Sequence, residues 1–373
     1  MSQRFTWTLI TSVLLALGSW TAADAKTGWT PAGNLVSPVG PNNAFALTDG
    51  RVISVGMVQD EDGWPATTQK WNPRTNTWKA DAAAPALPGL YEGVAVMLDD
   101  GRVLVTGYCT SGCAGGANAE LYDPAHDRWS LPGQMKHGRY AHAMVKLTDG
   151  RVLVMGGCLM HNCMAIASSA EIFDPADGTF SDAAPMRIHR ALFTATLLAD
   201  GRVLVAGGFN TAGVLAENET YDPASNSWRV NSPMKYPHRD QAAALLHDER
   251  VLIVGGDCGD GRPCDKAETF DPLIGRWKKT GPMGDPRQYA AAITLSDGRV
   301  LIAGGLSAWG NLWRYLETAR LFDPSTDRFV HAKSMAAQRG NFSMTMLPDG
   351  RVMAVGGDAW NDEFAGTAEI YTP

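Results

Sequence analysis

The sequence predicts an all-β protein folded as a seven-bladed β-propeller, and three observations lead to this prediction. A unit of about 50 residues recurs seven times along the chain. Each unit contains several short apolar runs separated by turn residues, and no segment shows the periodicity of an amphipathic helix. Units of four short antiparallel strands arranged radially form propellers of about 4–8 blades, and seven lies within that range.

Each unit is marked by the motif Asp-Gly-Arg-Val, which lies between two apolar runs. The motif begins at positions 49, 100, 149, 200, 297 and 349, and the related sequence Asp-Glu-Arg-Val begins at position 248. The intervals between successive motifs are 48 to 52 residues. Asp-Gly between apolar runs predicts a β-hairpin with a tight two-residue turn, because such a turn needs a positive φ that glycine adopts at little cost.

Further apolar runs complete the unit. The run after the turn ends at Gly-Gly in five units, as in "RVLVMGG" (151–157), and a segment of variable length follows. A third run such as "AEIFDP" (170–175) ends at Asp-Pro, which breaks a strand and opens a turn. A fourth strand begins at an aromatic residue seven positions after the aromatic of the third: Trp71/Trp78, Tyr122/Trp129, Phe173/Phe180, Tyr221/Trp228, Phe270/Trp277 and Phe322/Phe329. We expect these aromatic pairs to pack blade against blade.

The two ends of the chain together make one complete unit. The chain ends with "AEIYTP" (368–373), after the third strand of the seventh unit. A Trp-led segment of the kind expected for the missing fourth strand, "TGWTPAG", occurs at 27–33. We therefore predict that the N-terminal strand completes the last blade, which closes the ring and leaves no open edge.

The spacing of glycines and aromatics resembles that of the kelch repeat. In this repeat, Gly-Gly is followed by an aromatic residue about 13–17 positions later and by a second aromatic seven positions further on. The match covers nearly all of residues 26–373, with departures at 55–57 ("VGM") and 106–108 ("TGY"). The resemblance implies a kelch β-propeller in which the starts of the innermost strands and the residues after Gly-Gly line a ligand pocket.

The first 25 residues are predicted to be a secretory signal peptide. Arg4 supplies a basic start, residues 9–19 form a short apolar run, and "ADA" at 23–25 fits a cleavage site with small residues. The apolar run is shorter than the ~18 residues that a membrane span needs, and no later segment is apolar enough to span a membrane. We expect an exported protein, periplasmic or extracellular, with one propeller domain at 26–373.

The composition argues against some classes of partner. The formal net charge is −7, and the sequence has no Lys/Arg run and no basic stripe. We therefore expect no nucleic-acid partner. We also expect a monomer that carries no metal and no cofactor.

Six cysteines form three local pairs in the variable segments: Cys109 with Cys113, Cys158 with Cys163, and Cys258 with Cys264. Export and the even number favour three disulfides that stiffen these loops. A metal site that includes His161, within "CLMHNC" (158–163), is an alternative, but the spacings do not match those of structural zinc sites. A redox dithiol is a further alternative, although no Cys-x-x-Cys motif is present.

Function is expected on the face that carries the segments after Gly-Gly, because these segments differ between units whereas the turns on the other face repeat. On this face an arginine precedes each of five innermost strands: Arg139, Arg190, Arg239, Arg287 and Arg339. These arginines either contact a ligand near the central axis or hold neighbouring blades together. The residue after each arginine differs between units, which is typical of a recognition position, so Tyr140, Asp240 and Gln288 are predicted to face a ligand.

Three tryptophans of the variable segments, Trp309, Trp313 and Trp360, lie outside the repeat pattern. They are predicted to stack on a sugar ring or to anchor a peptide. The alternative is local packing within the loops.

Two functions follow from these observations, and the sequence leaves open whether the protein is an enzyme. The first is a binding module that presents its variable face to a carbohydrate, peptide or protein. The second is a carbohydrate-active enzyme, a lyase or epimerase, that holds an acidic sugar in an axial pocket. Its arginines would neutralise the sugar carboxylate, and its candidate proton-transfer residues are Tyr140, His142, His189, His238 and Asp240. A structural role in a packed strand is the alternative for the histidines.

The kelch resemblance permits an enzyme, because exported propellers of this kind include sialic acid epimerases and copper-dependent sugar oxidases. Such oxidases need a cysteine that is free to cross-link a tyrosine, together with two histidine ligands. Every cysteine here has a close partner in the sequence. We therefore expect that copper oxidase chemistry does not apply to this chain.

Overall fold

A computed structural model describes residues 27–40, 42–58, 66–80, 93–107, 115–359 and 365–373. The predicted signal peptide, Cys109, Cys113, Trp360 and the side chain of His161 lie outside the described part. Within that part the chain is almost entirely β-structure, with one short helical turn at His161–Cys163. No helix of the described residues is long and apolar enough to cross a membrane.

Seven four-stranded antiparallel sheets form the blades, which confirms the predicted fold class. Strands are numbered in chain order. Blade 1 comprises β2 (Asn42–Ala46), β3 (Val52–Met57), β4 (Ala66–Asn72) and β5 (Thr77–Ala80), and blade 2 comprises β6 (Val94–Met97), β7 (Val103–Thr106), β8 (Ala119–Asp123) and β9 (Arg128–Ser130). Blade 3 comprises β10 (Ala143–Lys146), β11 (Val152–Met155), β12 (Ala170–Asp174) and β13 (Thr179–Ala183), and blade 4 comprises β14 (Thr194–Leu197), β15 (Val203–Ala206), β18 (Asn218–Asp222) and β19 (Ser227–Val230). Blade 5 comprises β20 (Ala242–Leu245), β21 (Val251–Val254), β22 (Ala267–Asp271) and β23 (Arg276–Lys279), and blade 6 comprises β24 (Ala291–Thr294), β25 (Val300–Ala303), β28 (Ala319–Asp323) and β29 (Arg328–Ala332). Blade 7 comprises β30 (Ser343–Met346), β31 (Val352–Val355), β32 (Thr367–Thr372) and β1 (Gly28–Asn34).

The ring closes through the N-terminal strand, as predicted. β1 pairs antiparallel with β32, and Trp29 lies opposite Tyr371 in the register. The innermost strands of the blades contact one another in the order β2, β6, β10, β14, β20, β24, β30 and back to β2. The last blade is therefore made from both ends of the chain.

Apolar clusters fill the spaces between neighbouring blades. Residues of blade 3 such as Leu153 and Ile172 pack in one cluster with Tyr221 and Trp228 of blade 4. The Tyr221 and Trp228 rings are 4.9 Å apart, and the Trp228 indole N–H donates to the carbonyl of Ala184 at the end of blade 3. The paired aromatics thus join one blade to the next.

Two extra hairpins extend from the blades: β16 (Phe209–Asn210) with β17 (Gly213–Val214), and β26 (Leu306–Trp309) with β27 (Leu312–Tyr315). They follow Gly-Gly in blades 4 and 6 and lie on the face that we call the loop face. The opposite face carries the Asp-Gly-Arg turns, and we call it the turn face. The strands of a blade are antiparallel, so successive connections lie alternately on the loop face and on the turn face.

The Asp-Gly-Arg turns are one residue longer than the sequence pattern suggests. In blade 3, the Gly150 N–H donates to the Leu147 carbonyl, and the Leu147 N–H donates to the Arg151 carbonyl. This is a three-residue loop in which only the last position has a positive φ, 85° at Gly150. The Asp149 carboxylate accepts from the backbone and side chain of Arg151, and these bonds hold the pKa of Asp149 below its ordinary value.

We expect Glu249→Gly to raise the free energy of unfolding by about 0.5–1 kcal/mol. Glu249 has φ 68° at the turn position where the other blades have glycine. A left-handed conformation costs a residue with a Cβ roughly 1–2 kcal/mol, and the greater chain entropy of glycine offsets part of the gain. Chemical denaturation measures the difference. The converse change Gly101→Glu should destabilise by strain alone, because a Cβ there would meet nothing within 4 Å; a neutral result for both variants would contradict the argument.

Candidate binding site on the loop face

The Gly-Gly pairs bring neighbouring blades close together on the loop face. The Gly157 N–H donates to the Arg190 carbonyl of the next blade at 2.9 Å. A Cβ on Gly156 would lie 2.7 Å from that same carbonyl oxygen, and both glycines have positive φ. The same inter-blade bond runs from Gly208 to His238 and from Gly256 to Arg287. Glycine is needed here for both backbone conformation and close approach.

The arginines before the innermost strands are buried clamps within their own blades. The Arg139 guanidinium is fully buried and donates to the carbonyls of Gly156 and Ser169 and to the carboxylate of Glu171, at 2.9, 3.0 and 2.8 Å. Glu171 also accepts from the backbone N–H of Lys136, which lies in the link that enters the blade. Arg190 and Arg339 repeat this arrangement with Glu219 and Glu369. Arg287 is equally buried, and burial lowers its pKa to about 10.

The prediction that Arg239 shares this position is wrong by one residue. The position is occupied by His238, which is fully buried and whose carbonyl accepts the inter-blade bond from Gly208. His238 Nδ1 lies 2.8 Å from the Gly255 carbonyl oxygen and therefore carries the proton of that bond. Its Nε2 lies 3.8 Å from the Glu268 carboxylate. His238 thus replaces the arginine clamp of the other blades, and Arg239 takes the next position.

A ring of non-glycine residues with positive φ surrounds the axis two positions after the clamp. Its members are Ala141, Leu192, Asp240, Tyr289 and Asn341, with φ of 50°, 52°, 55°, 57° and 48°. Backbone hydrogen bonds link them in sequence, from Leu192 N–H to Ala141 carbonyl and onward to Asn341 N–H on the Tyr289 carbonyl. Residues held in this conformation are unusual and gather at functional sites. The ring marks the mouth of the propeller as a candidate site.

A cavity of about 290 Å³ lies inside this ring, and we call it the axial pocket. Residues just before or at the start of the innermost strands of blades 1, 2, 5, 6 and 7 line it: Asn43, Gly93, Asp240, Gln241, Tyr289, Ala290, Asn341 and Phe342. Contributions from five blades can meet only at the axis. The volume is at the small end of the range for ligand pockets, which suits one sugar or amino-acid unit.

The pocket wall is rich in hydrogen-bond acceptors. The Gln241 amide donates from Nε2 to the Ala206 carbonyl oxygen at 2.9 Å, which fixes the orientation of the amide because a carbonyl only accepts. Gln241 Oε1 is buried and accepts no hydrogen bond from the described residues. The Asp240 side chain is 5% exposed. The Asn341 amide donates from Nδ2 to the Asp358 carboxylate at 2.8 Å.

Arg239, the neighbour of Asp240, lies near two carboxylates, those of Asp257 and Asp240. Arg239 donates to Asp257 from Nε and lies with Nη2 2.9 Å from it, and its Nε is 3.9 Å from the Asp240 carboxylate. The guanidinium also lies 5.5 Å from the centre of the Phe209 ring. Asp257 therefore takes the close contacts of the arginine, and Asp240 lies further from it.

The other predicted site residues lie away from the pocket. The Tyr140 hydroxyl donates to the Met160 carbonyl and accepts from the Cys163 N–H. His142 is 6% exposed and packs beside Gly107 with Nε2 2.9 Å from the Thr106 hydroxyl; burial and the nearby Arg139 lower its pKa to about 3. His189 is half-buried and Gln288 is 9% exposed, and neither lines the axial pocket. Of the five proton-transfer candidates, only Asp240 lines the pocket.

The tryptophan hairpin of blade 6 stands on the loop face. Trp309 and Trp313 are 61% and 41% exposed, and Leu312 between them is 58% exposed. Arg262 in the loop of blade 5 donates to the Gly310 carbonyl at the tip of the hairpin, at 2.7 Å. The hairpin is thus attached at its tip as well as at its base.

Two of the three predicted disulfides lie in the described part and are confirmed. Cys158 and Cys163 are bonded with Cα atoms 4.7 Å apart, and Cys258 and Cys264 with Cα atoms 5.9 Å apart. Disulfide bonds are typical of proteins in an oxidising, exported environment. The third predicted disulfide, between Cys109 and Cys113, lies outside the described residues and stays a prediction.

One histidine lies beside the second bridge. The possible ligand atoms of His238, Cys258 and Cys264 are within 4.8 Å of one another. Both sulfurs are used by the disulfide, so they offer no thiolate to a metal. The cluster is therefore a disulfide packed against the buried His238 ring.

A second cavity of about 380 Å³ lies on the turn face. Its wall includes Asp248, Asp297 and Arg299, which belong to the repeated turns, where each aspartate accepts from the arginine of its own turn. A wall built from repeated scaffold residues is a weaker indication of recognition than the axial pocket.

Sequence reasoning missed five polar or aromatic pocket residues: Asn43, Gln241, Tyr289, Asn341 and Phe342. For Tyr289 and Asn341 the reason is a shift of one position, because the residue directly after the clamp faces the loops and the next residue faces the axis. The signal was present, since the second position also differs between units. The buried glutamates were missed as well, although Ala-Glu recurs before Asp-Pro in "AELYDP", "AEIFDP" and "AETFDP".

The fold and the pocket define a seven-bladed propeller with a polar axial site on its loop face. The family model for the Kelch motif matches residues 238–284. Together with the seven blades, this match shows that the chain is a kelch-repeat β-propeller. A search of the curated proteins finds no match.

Many solved structures share the fold, with 684 matching chains. One of them is a fungal alcohol oxidase of the AA5 family in complex with copper, which has 18% sequence identity and a TM-score of 0.74. The alignment covers 93% of this chain and 76% of that chain. At this identity the likeness shows a shared fold and nothing about the reaction.

The residues of the axial pocket do not fit a copper group like the one that the structural neighbour holds. Copper prefers imidazole or sulfur ligands, and the described residues that line the pocket offer amide, carboxylate and phenol oxygens. Tyr140 does lie 3.6 Å from the Cys163 sulfur. That sulfur is bonded to Cys158 and cannot also cross-link a tyrosine.

Proposed function

We propose that this kelch propeller is a binding module whose axial pocket holds one neutral, hydroxyl-rich unit, such as a sugar ring. The observation that carries the proposal is the polar wall of this pocket, which includes Asp240, Gln241 and Asn341. Sugar hydroxyls both donate and accept hydrogen bonds, so they match a wall of carboxylate and amide groups.

The pocket favours a neutral ligand over an acidic one. Asp240 lines it, and the clamp arginines Arg139, Arg190, Arg287 and Arg339 are buried against carbonyls and carboxylates within their blades. None of these four guanidinium groups is therefore available to neutralise a sugar carboxylate. The proposal differs here from the acidic-sugar interpretation of the sequence.

We expect Asp240→Asn to weaken binding of a neutral sugar about 5- to 10-fold. A hydrogen bond to a charged group contributes about 1.5–3 kcal/mol, against about 0.5–1.5 kcal/mol for the neutral bond that asparagine can still accept, and 1.4 kcal/mol corresponds to a factor of ten. Asparagine tolerates the positive φ at this position, so the fold should be unchanged. Isothermal titration calorimetry with the best sugar from a panel of neutral, uronic and sialic acid monosaccharides gives the affinities.

The matched control is Asp297→Asn in the cavity of the turn face, which should leave the affinity unchanged. Tighter binding of a uronic or sialic acid than of any neutral sugar would contradict the proposal. That result would favour the enzyme that acts on an acidic sugar. Binding of no sugar by a folded chain would also overturn it and would direct the search to a protein partner, the kind that kelch propellers commonly bind.

A carbohydrate-active enzyme is the second candidate function. The observation that favours it is the presence of Asp240 in the pocket wall. One carboxylate beside a buried amide could take part in proton transfer, but a lyase or epimerase needs an acid and a base around one substrate. Tyr140, His142, His189 and His238 do not line the pocket. Turnover of any sugar that binds would establish the enzyme.

We further propose that the chain is exported after cleavage of the predicted signal peptide at residue 25. The two disulfides support an oxidising destination. N-terminal sequencing of the protein recovered from cell fractions tests this, and a retained Met1 on the exported form would contradict it.

A further inference from the structure

The blade-6 hairpin presents two different faces, and their exposed side chains differ. In the register of β26 and β27, Trp313 lies opposite Ala308 and Tyr315 lies opposite Leu306. Directly opposed residues share a face, and so do residues two apart on one strand. Trp313 and Tyr315 therefore stand on one face, whereas Trp309 and Leu312 stand on the other.

The face with Tyr315 contacts the chain next to the axial pocket, at Gly340. A Cβ on Gly340 would lie 2.8 Å from the Tyr315 ring, so this ring covers Gly340 directly. Gly340 is the neighbour of Asn341, which lines the axial pocket. Gly340 is not among the glycines with a positive φ. Its lack of a side chain therefore serves the close approach of the ring rather than the backbone conformation.

The hairpin is held at both of its ends. Arg262 from the loop of blade 5 binds the tip at Gly310, and Tyr315 packs on Gly340 at the base. These two attachments hold the hairpin upright beside the pocket. Trp313 lies two residues from Tyr315 along the same strand, about 7 Å away.

We propose that the ligand is a neutral oligosaccharide, with one unit in the axial pocket and the following units stacked along the Tyr315–Trp313 face. This inference rests on the proposed function. A sugar ring has an apolar C–H face that stacks on an aromatic ring and hydroxyls that donate to the polar pocket wall. Trp313 is preorganised and 41% exposed, so a stacked unit would cover apolar surface that now faces water.

The test uses the full chain on an array of neutral glycans of one to six units, followed by calorimetry with the best binder and its shorter homologues. Affinity is expected to rise with length from one to three units. Trp313→Ala should weaken binding of the longer glycan by about tenfold and leave the single unit unchanged. Trp309→Ala, in the same hairpin but on the opposite face, is the matched control and should change neither affinity.

Each outcome separates the two proposals. Equal affinity for one unit and for longer glycans, or equal effects of Trp309→Ala and Trp313→Ala, would overturn the extended site and leave the axial pocket standing. Weaker single-unit binding in Asp240→Asn with no effect of Trp313→Ala would overturn the extended site in the same way. Preference for an extended peptide over every glycan on the array would overturn both.

Discussion

Glu171→Ala is expected to lower the free energy of unfolding by about 3–5 kcal/mol, the largest effect of any single change that the structure suggests. The carboxylate is fully buried, receives the Arg139 guanidinium at 2.8 Å and accepts from the N–H groups of Lys136 and His137. Its removal leaves a buried charge without its counter-ion and two backbone donors without their acceptor. Guanidinium-induced unfolding measures the change.

The natural variation between blades supplies the controls for this prediction. Blade 1 has Gln69 where blade 3 has Glu171, and Gln69 accepts from Val36 N–H in the same manner. Glu171→Gln should therefore cost less than Glu171→Ala, because the amide keeps an acceptor for the link. The double variant Glu171→Leu with Arg139→Met removes both charges and should recover part of the loss. A cost below about 1 kcal/mol for Glu171→Ala would contradict the clamp.

Blade 6 shows why a repeated position need not hold a repeated residue. Arg320 stands at its glutamate position, and Asp285 in the incoming link contacts Arg320 at 2.7 Å and Arg287 at 3.1 Å. The charges are exchanged between strand and link, while the ion pair is kept. The sequence pattern predicted the strands and the positions of the turns because they depend on local spacing, but this exchange depends on partners 35 residues apart.

The pocket was harder to predict than the blades for a similar reason. Strand order and ring closure follow from a unit that repeats, and the alternation of apolar residues fixes which side faces the next blade. Which of two adjacent residues faces the axis depends on the positive φ after the clamp, and non-glycine residues give no local signal for it. The substitution of His238 for arginine then displaced the alignment in blade 5, where Asp240 and Gln241 lie.

His142 is expected to make the protein lose stability as the pH falls from about 6.5 toward 3, and His142→Phe is expected to remove this loss. The pKa of His142 is lowered to about 3 in the folded protein, against 6.5 for an ordinary histidine. Burial is the larger cause and the positive charge of Arg139 is the second. A base with a lowered pKa binds its proton more readily in the unfolded chain. The contribution of His142 to the free energy of unfolding is therefore complete above pH 6.5. As the pH falls further, it decreases by about 1.4 kcal/mol per pH unit until the pKa of the folded state is reached.

The chain itself shows that phenylalanine fits this position. Phe193 and Phe342 occupy the equivalent place in blades 4 and 7, where their rings lie over Gly156 and Gly304 as the His142 ring lies over Gly107. Thr106→Ala should accompany the change, because its buried hydroxyl is 2.9 Å from His142 Nε2. Thr106→Ala alone is the control and should keep the wild-type slope in urea unfolding from pH 7 to 4. Parallel curves for wild type and the double variant would show that His142 takes up its proton equally in both states, which is incompatible with the buried, neutral ring that the structure places beside Arg139.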